Sequence, residues 1–211
     1  MGTAINLRRM KMTNKRLILD AVRSSPISRA ELAKRLRLTR ASVTQNVDEL
    51  LAENLVIETG TAVGPVGRRP ILLSLNKDAR YFCGVNIMRN SINVGIVNYC
   101  GEVVARAAIS HGRNTPAVTL TRIAGILQEQ QKTLDIPMEK FIGVGVCAPG
   151  PLDYRKGILQ NPPNFTAWQN TDVSSPLSVA LDMPVRLENI SSTLTLCEKY
   201  YGCAREASNL M

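Results

Sequence analysis

Residues 27–75 read ISRAELAKRLRLTRASVTQNVDELLAENLVIETGTAVGPVGRRPILLSL, and the interpretation of the whole chain depends on this stretch. It begins with S-R-A-E, in which Ser28 can cap a helix and Glu31 stands three residues later, the pattern of a capping box. Leu32, Ala33 and Leu36 follow at helical spacing. We therefore predict a short amphipathic helix that ends at about residue 37.

A second helix follows after a tight turn, and Thr39 is suited to cap it. Its apolar positions recur at i, i+4, i+7 and i+8: Val43, Val47, Leu50 and Leu51. This spacing places one apolar stripe along the helix. The pair of helices predicts a helix-turn-helix with the stripe of the second helix buried.

The opposite face of the second helix is polar. At about 100° per residue, Gln45 lies opposite the stripe, with Ala41 and Asp48 near it. A recognition helix presents its first turn and its outward face to the major groove of DNA. We therefore predict that DNA is contacted by residues of these two sets: Thr39, Arg40, Ala41, Ser42, Thr44 and Gln45.

Two strand-like runs, LVIE and ILLSL, complete the stretch, and TGTAVGPVGRRP lies between them. We interpret them as a two-stranded wing with a charged tip, in which Gly67 and Pro70 flank Arg68 and Arg69. Arginines on such arms suit a minor groove or its phosphates. The alternative for this region is a surface helical hairpin followed by a solvated loop.

The charge of the 211-residue chain is uneven. Residues 1–80 hold 15 Lys and Arg against 7 Asp and Glu, a net +8, whereas residues 81–211 hold 11 against 10. Positive charge concentrated in one part is what a phosphate-contacting module needs. The sequence also lacks an apolar run long enough to cross a membrane and a signal-peptide core, so we expect a cytoplasmic protein without a membrane partner.

The chain has five cysteines and one histidine, His111. None of the cysteines forms a C-x-x-C pair, so the sequence contains no zinc-binding constellation. We expect mostly buried thiols in a reducing compartment, with no metal and no cofactor.

The remaining elements predict an α/β protein with two domains. We expect a flexible basic lead-in over residues 1–13, a winged helix over 14–77 that starts with a helix at 14–25, and a second domain over 80–211.

In the second domain three strand-like runs (YFCGVNIMR, SINVGIVNY and EVVARAAIS) form an antiparallel meander, and FIGVGVCA is suited to a buried central strand. Helices over 116–135, 173–182 and 190–201 complete a β-β-β-α-β-α-β-α order with a mixed sheet, that of an actin-like or ribonuclease-H-like lobe.

Three motifs in the second domain resemble those of the ROK family (repressors, open reading frames, kinases), and the G-R-R-P tip is typical of its transcriptional repressors. The motifs are G-x-G-x-x-x-P-G-P-L-D and P-N-F-x-x-W within residues 143–168, and P-V-x-x-E-N at residues 184–189. The resemblance implies a sugar-binding lobe whose ligand residues are Gly150, Asn164, Glu188 and Asn189, with Glu188 in a supporting role.

From the residues alone, three positions also have structural explanations. Asn164 is a typical turn residue after two prolines, Trp168 is suited to core packing as well as to sugar stacking, and Asp153 is suited to a turn.

The chain departs from the kinases of this family at two places. They carry a D-x-G-G-T phosphate loop, where this chain has Asn86-Ile87-Met88-Arg89-Asn90, and they carry a catalytic aspartate after E-N, where this chain has Ile190. An amide is a poor magnesium ligand, and an isoleucine cannot accept a proton. We therefore expect no enzymatic activity.

The family's second lobe, with its E-x-G-H motif and cysteine-rich zinc loop, has no counterpart up to Met211. The resemblance thus covers nearly the whole chain but includes only the winged helix and the first lobe, and the chain is expected to be a fragment, a truncated product or a short divergent regulator. The leading hypothesis is a sequence-specific DNA-binding regulator, a repressor of carbohydrate-utilisation genes. Its expected partners are a double-stranded DNA operator, a sugar or sugar-phosphate effector and, by resemblance, a second copy in a homodimer. The alternatives are a sugar kinase with an added DNA-binding domain, and a DNA-binding module whose lobe is purely structural.

Overall fold

Among the residues that the structure describes, three helices and a three-stranded sheet form the first of two units, Met1–Ala79 and Arg80–Met211. The structure is a computed structural model that describes residues 2–61, 70–110, 114–205 and 207–210. The elements of the first unit follow the order α1 (Gly2–Ser24), β1 (Ile27–Ser28), α2 (Arg29–Leu36), α3 (Arg40–Ala52), β2 (Val56–Thr61) and β3 (Ile71–Leu75).

The first helix corrects the expectation of a flexible lead-in. It is continuous from Gly2 to Ser24, whereas the sequence pattern predicts regular structure only from residue 14. Residues 3–24 contain neither Gly nor Pro and are rich in Leu, Met, Arg and Lys, all good helix formers. Lys11 and Lys15 also form ion pairs with α3, as described below, which favours an ordered helix before residue 14.

The sheet of the first unit has the order β1-β3-β2, all antiparallel. The pairing of β2 with β3 confirms the two predicted wing strands. The pairing of β1 with β3, through Ile27 opposite Leu73, adds a third strand that the sequence pattern does not predict. The core of this unit contains apolar side chains that are at most 5% exposed: Ile18, Ala21, Val22, Leu32, Val43, Val47, Leu50, Val56, Leu73 and Ala79.

The second unit contains a five-stranded mixed sheet with the order β11-β7-β4-β5-β6. Its strands are β4 (Tyr81–Ile87), β5 (Ile92–Asn98), β6 (Val103–Ile109), β7 (Phe141–Ala148) and β11 (Val185–Asn189). The first three form the predicted antiparallel meander, and β7 is parallel to both β4 and β11. β7 lies between β11 and β4, inside the sheet, as its nearly all-apolar sequence predicts.

The described residues of this unit contain three α-helices: α4 (Pro116–Thr133), α5 (Ser174–Leu181) and α6 (Ile190–Tyr200). Side chains of α4 and α5, such as Ile123 and Leu177, are buried with alternate residues of β4 and β5 in one apolar core. These helices lie within two residues of the predicted bounds. A small sheet of three two-residue strands, β8 (Leu152–Asp153), β9 (Ile158–Leu159) and β10 (Thr171–Asp172), was not predicted.

The fold class is therefore α/β, as expected. None of the helices in the described ranges combines the length and the apolar character needed to span a membrane.

Candidate functional site

Side-chain caps determine where the two helices of the helix-turn-helix begin. The hydroxyl of Ser28 accepts a hydrogen bond from the backbone N–H of Glu31 at 3.2 Å, and that of Thr39 accepts one from Ser42 at the same distance. Such caps satisfy N–H groups that have no partner within the helix. The predicted starts of α2 and α3 are thus confirmed, and Thr39 and Ser42 belong to the cap of the second helix.

The face of α3 that we expect to contact DNA is exposed. Val43 and Val47 are fully buried and Leu50 is 1% exposed, so the apolar stripe faces the core. In the first turn Arg40 and Ala41 are exposed, and on the outward face Thr44, Gln45 and Asp48 are exposed. The predicted DNA contacts Arg40, Ala41, Thr44 and Gln45 are therefore accessible to solvent.

Two positions of α3 differ from the expected stripe. Leu51 is only half-buried, whereas Asn46 is 3% exposed. The side-chain nitrogen of Asn46 donates to the carbonyl oxygen of Ser42 at 2.7 Å, which offsets part of the cost of burying an amide. Because asparagine is polar, it does not contribute to the pattern of apolar positions, and the sequence analysis did not predict that Asn46 is buried.

Ion pairs join α1 to the C-terminal half of α3. Nζ of Lys11 lies 2.5 Å from Glu49, and Nζ of Lys15 lies 2.9 Å from Glu49 and 2.6 Å from Glu53. Hydrogen bonds from Lys11 and Lys15 hold the pKa of Glu49 below its ordinary value of 4.5, and the hydrogen bond to Glu53 raises the pKa of Lys15 above 10.5. The helix that carries the candidate DNA contacts is thus held by charged as well as apolar contacts.

The two wing strands, β2 and β3, flank the segment of sequence that carries the predicted tip. Val56 pairs with Leu75 and Thr61 with Ile71, with an irregularity in the register between Glu58 and Thr61. Arg68 and Arg69, at the predicted tip, lie outside the described residues, as does His111.

Three of the four predicted sugar ligands lie together at the C-terminal ends of β7 and β11. Asn189 ends β11 and caps α6, where its Oδ1 accepts a hydrogen bond from the N–H of Ser191 at 2.8 Å. Glu188 accepts one from the N–H of Asn189, also at 2.8 Å. A Cβ atom at Gly150 would lie only 2.5 Å from Nδ2 of Asn189, so the absent side chain of Gly150 makes room for the amide of Asn189.

Asn164 lies in a separate turn. Its φ of 56° is in the left-handed region, and the N–H of Phe165 donates to the carbonyl of Pro162 at 3.2 Å. Asparagine tolerates this conformation better than most residues, so the turn alone gives a reason for its identity. The Asn164 side chain is exposed and accessible to a ligand.

Two further residues have structural roles that the sequence allowed. The ring of Trp168, only 1% exposed, stacks on Phe165 with the centroids 5.4 Å apart, so it packs in the core. Oδ1 of Asp153 accepts hydrogen bonds from the N–H groups of Arg155 and Lys156 at 3.0 and 3.1 Å. Asp153 is thus a turn residue.

The run that replaces the kinase phosphate loop forms a tight hairpin. The N–H of Met88 donates to the carbonyl of Ser91 at 2.9 Å, and Asn86 pairs with Asn93 across the two strands. A phosphate loop needs successive backbone N–H groups directed at one anion. Met88 directs its N–H into the hairpin instead.

A groove of about 570 Å³ lies on the face of the five-stranded sheet that carries Gly84, Gly95 and Gly145. These glycines pair in one row across β4, β5 and β7. Glu188 and Thr193 line the groove at the side of α6. The groove thus extends from Glu188, one of the predicted ligand residues, over the face of the sheet that carries the three glycines.

Sequence comparisons agree with this architecture. The sequence profile of the ROK family matches residues 82–211, and that of the MarR family matches residues 13–64. The chain is 30% identical over 205 residues to a putative xylose repressor of Caldicellulosiruptor sp. (strain Rt8B.4), covering 96% of this chain and 51% of that protein. It is 28% identical over 201 residues to the xylose repressor of Bacillus subtilis (strain 168), covering 95% and 52%.

A solved structure shares the fold. It is described as a ROK family transcriptional regulator, homolog of E. coli MLC protein, and it superposes with a TM-score of 0.71 at 23% identity, covering 94% of this chain and 50% of that one. The chain spans about half the length of the curated relatives it matches. Because the family profile covers more than half of the chain, from the second residue of β4 onward, the chain belongs to the ROK family.

Proposed function

We propose that this chain acts in transcriptional repression of carbohydrate-utilisation genes, by binding DNA and by sensing an effector. The observation that carries the proposal is the recognition helix α3, whose apolar stripe is buried while Arg40 in its first turn and Thr44 and Gln45 on its outward face are exposed. Relatives named xylose repressors support the same assignment.

On duplex DNA, α3 enters the major groove and the wing lies against the backbone. Gln45 can donate to N7 and accept from N6 of one adenine, and Arg40, in the first turn, pairs with guanine or phosphate. Thr39, Ala41, Ser42 and Thr44 complete the contact surface. Arg68 and Arg69 supply sequence-independent contacts from the wing tip.

Selection of bound duplexes from a random-sequence library tests this assignment. We expect one motif to be enriched, and to bind more tightly than its scrambled version at the same salt concentration. A library that remains random after repeated rounds, or equal affinities for selected and scrambled duplexes, would contradict sequence-specific binding.

The second unit senses a sugar or sugar phosphate. Gly150, Glu188 and Asn189 lie together, and carboxylate and amide groups pair well with the donors and acceptors of vicinal hydroxyls. With Oδ1 of Asn189 committed to the cap of α6, its amide nitrogen is the atom that donates to the effector. Asn164, exposed in its turn, adds a further contact.

Thermal unfolding with a sugar panel tests the sensing role. A ligand that binds only the folded state raises the unfolding midpoint. D-Xylose is the first sugar to test, because of the relatives' names, and L-xylose is a matched control. No shift with any sugar or sugar phosphate would favour the alternative of a structural lobe.

We also infer that the chain does not transfer phosphate. The hairpin at Met88, the amide of Asn86 and the apolar side chain of Ile190 replace the groups that would bind magnesium and accept a proton. Incubation with ATP and the same sugars should leave ATP unconsumed. Clear turnover would support a sugar kinase with an added DNA-binding domain.

A further inference from the structure

Arg29, the first residue of α2, contacts three groups on two other elements. Its Nη1 lies 2.7 Å from Oδ1 of Asp48 and 3.4 Å from the carbonyl oxygen of Thr44, both on α3. Its Nη2 lies 3.7 Å from Oε1 of Glu58 on β2. One guanidinium therefore bridges the recognition helix and the first strand of the wing.

The two carboxylates lie where negative charge hinders DNA binding. Asp48 is 58% exposed and follows Thr44 by one helical turn on the outward face of α3. Glu58 is 44% exposed on the strand that leads to the wing tip. At physiological salt the Debye length is about 8 Å, so carboxylates on the groove-facing surface repel nearby phosphates.

We propose that Arg29 is a positioning residue for DNA binding: through its contacts with Asp48 and Glu58 it holds the outward face of α3 in place relative to the first strand of the wing. This inference rests on the proposed DNA-binding function. Because the positioning acts through the two carboxylates, that part of the effect of Arg29 disappears when they are replaced by amides, whereas the charge of Arg29 itself acts equally in both cases.

The energetic consequence should appear in DNA affinity and hardly in stability. Arg29 is 31% exposed and both partners are more exposed still. Ion pairs at such positions add little to folding stability because solvent screens them. Removing Arg29 leaves one further net negative charge facing a polyanion, and this repulsion acts on every duplex because it does not depend on base sequence.

A double-mutant cycle on the full chain tests the inference, with a mixed-sequence duplex as the probe at one low salt concentration. Arg29→Gln is compared in two backgrounds, the parent chain and a chain carrying Asp48→Asn with Glu58→Gln. The amides keep the shape of the carboxylates and remove their charge. We expect Arg29→Gln to weaken binding about 3- to 30-fold more in the parent than in the amide background, a coupling of the size that cycles detect between contacting residues.

Arg16→Ala serves as the matched control, because it removes the same formal charge from an arginine whose ion pair with Asp20 lies within α1. Its effect should be equal in both backgrounds. Equal losses for Arg29→Gln in both backgrounds would overturn the inference and indicate a direct phosphate contact, and no loss in either would overturn it as well.

Circular dichroism establishes that each variant is folded, and Arg29→Met replaces Arg29→Gln in the cycle if the latter is not. If the parent chain bound no duplex, the proposed function itself would fail and this inference with it. If the parent binds DNA but the cycle shows no coupling between Arg29 and the two carboxylates, the proposed function stands and only the role of Arg29 is refuted.

Discussion

Nζ of Lys15 lies 2.6 Å from Oε1 of Glu53 and thereby joins the middle of α1 to the C-cap residue that follows α3. Glu49, one turn earlier, accepts both Lys11 and Lys15. The recognition helix is therefore anchored to α1 by two lysines and two glutamates along its C-terminal half. This network makes the stability of the first unit depend on pH and salt.

Acid should weaken this anchor. Because the lysines hold the pKa of Glu49 below 4.5 in the folded state, Glu49 contributes stability that is present above pH 4.5 and is lost as pH falls through its folded pKa. We expect the unfolding midpoint of the parent to fall more steeply below pH 4.5 than that of Glu49→Gln. Glu129→Gln, in the second unit, is the control, and identical pH profiles for parent and Glu49→Gln would contradict the prediction.

The cap of α3 should be measurable by itself. Thr39→Ala removes the acceptor for the N–H of Ser42 and should lower the free energy of unfolding by about 1 kcal/mol, measured by urea denaturation. Thr44→Ala, at an exposed position in the same helix, should be close to neutral or stabilising. Equal losses for the two variants would show that the cap is not the source of the effect.

The outward face of α3 should supply base specificity. We expect Gln45→Ala to weaken binding to the selected duplex by about 1–3 kcal/mol, the contribution of one bidentate base contact. Binding to the scrambled duplex should change little, because phosphate contacts carry non-specific affinity. Titrations of parent and variant against both duplexes decide the matter, and equal losses on both would mean that Gln45 does not contact bases.

The wing tip should supply affinity with little specificity. Arg68→Ala combined with Arg69→Ala should weaken binding to all duplexes and reduce the slope of log K against log salt by about one unit for each phosphate that is no longer neutralised. A larger effect on A·T-rich sites would indicate that the arginines enter a narrow minor groove. A salt slope equal to that of the parent would refute a DNA-facing wing.

The close approach of Gly150 to Asn189 should couple the two residues. Gly150→Ala places a Cβ 2.5 Å from Nδ2 of Asn189 unless the amide moves, and movement disturbs the cap of α6. We expect the free energy of unfolding to fall by about 1 kcal/mol, similar to the effect of removing a cap. Asn189→Ala should cost less in the Gly150→Ala background than in the parent, whereas strictly additive effects would contradict the coupling.

Several sequence predictions held because they depend on neighbours along the chain. The caps at Ser28 and Thr39 join residues three positions apart, and the stripe through Val43, Val47 and Leu50 follows from helical period alone. The antiparallel meander of β4, β5 and β6 connects consecutive strands through short turns. In all these cases the pattern and the structure involve the same few residues.

Features that depend on contacts between residues far apart in the sequence were predicted wrongly or not at all. The two-residue strand β1 carries no pattern of its own and exists because Ile27 lies opposite Leu73, far along the chain. The helical conformation before residue 14 is favoured by Lys11 reaching Glu49 on another helix. The burial of Asn46 depends on the residues that pack around α3, and the spacing of apolar residues along the sequence does not predict it.

The sequence by itself therefore determined the local elements of this protein: where α2 and α3 begin, which face of α3 is apolar, and where the motifs of the second unit stand. Only the tertiary structure decided which distant groups meet, such as Arg29 with Asp48 and Glu58, or Gly150 with Asn189. Caps and periodicity arise from backbone geometry over a few residues, which the sequence encodes directly. Charge partners and close backbone approaches depend on how the chain crosses itself, and that is decided by the packing of the whole unit.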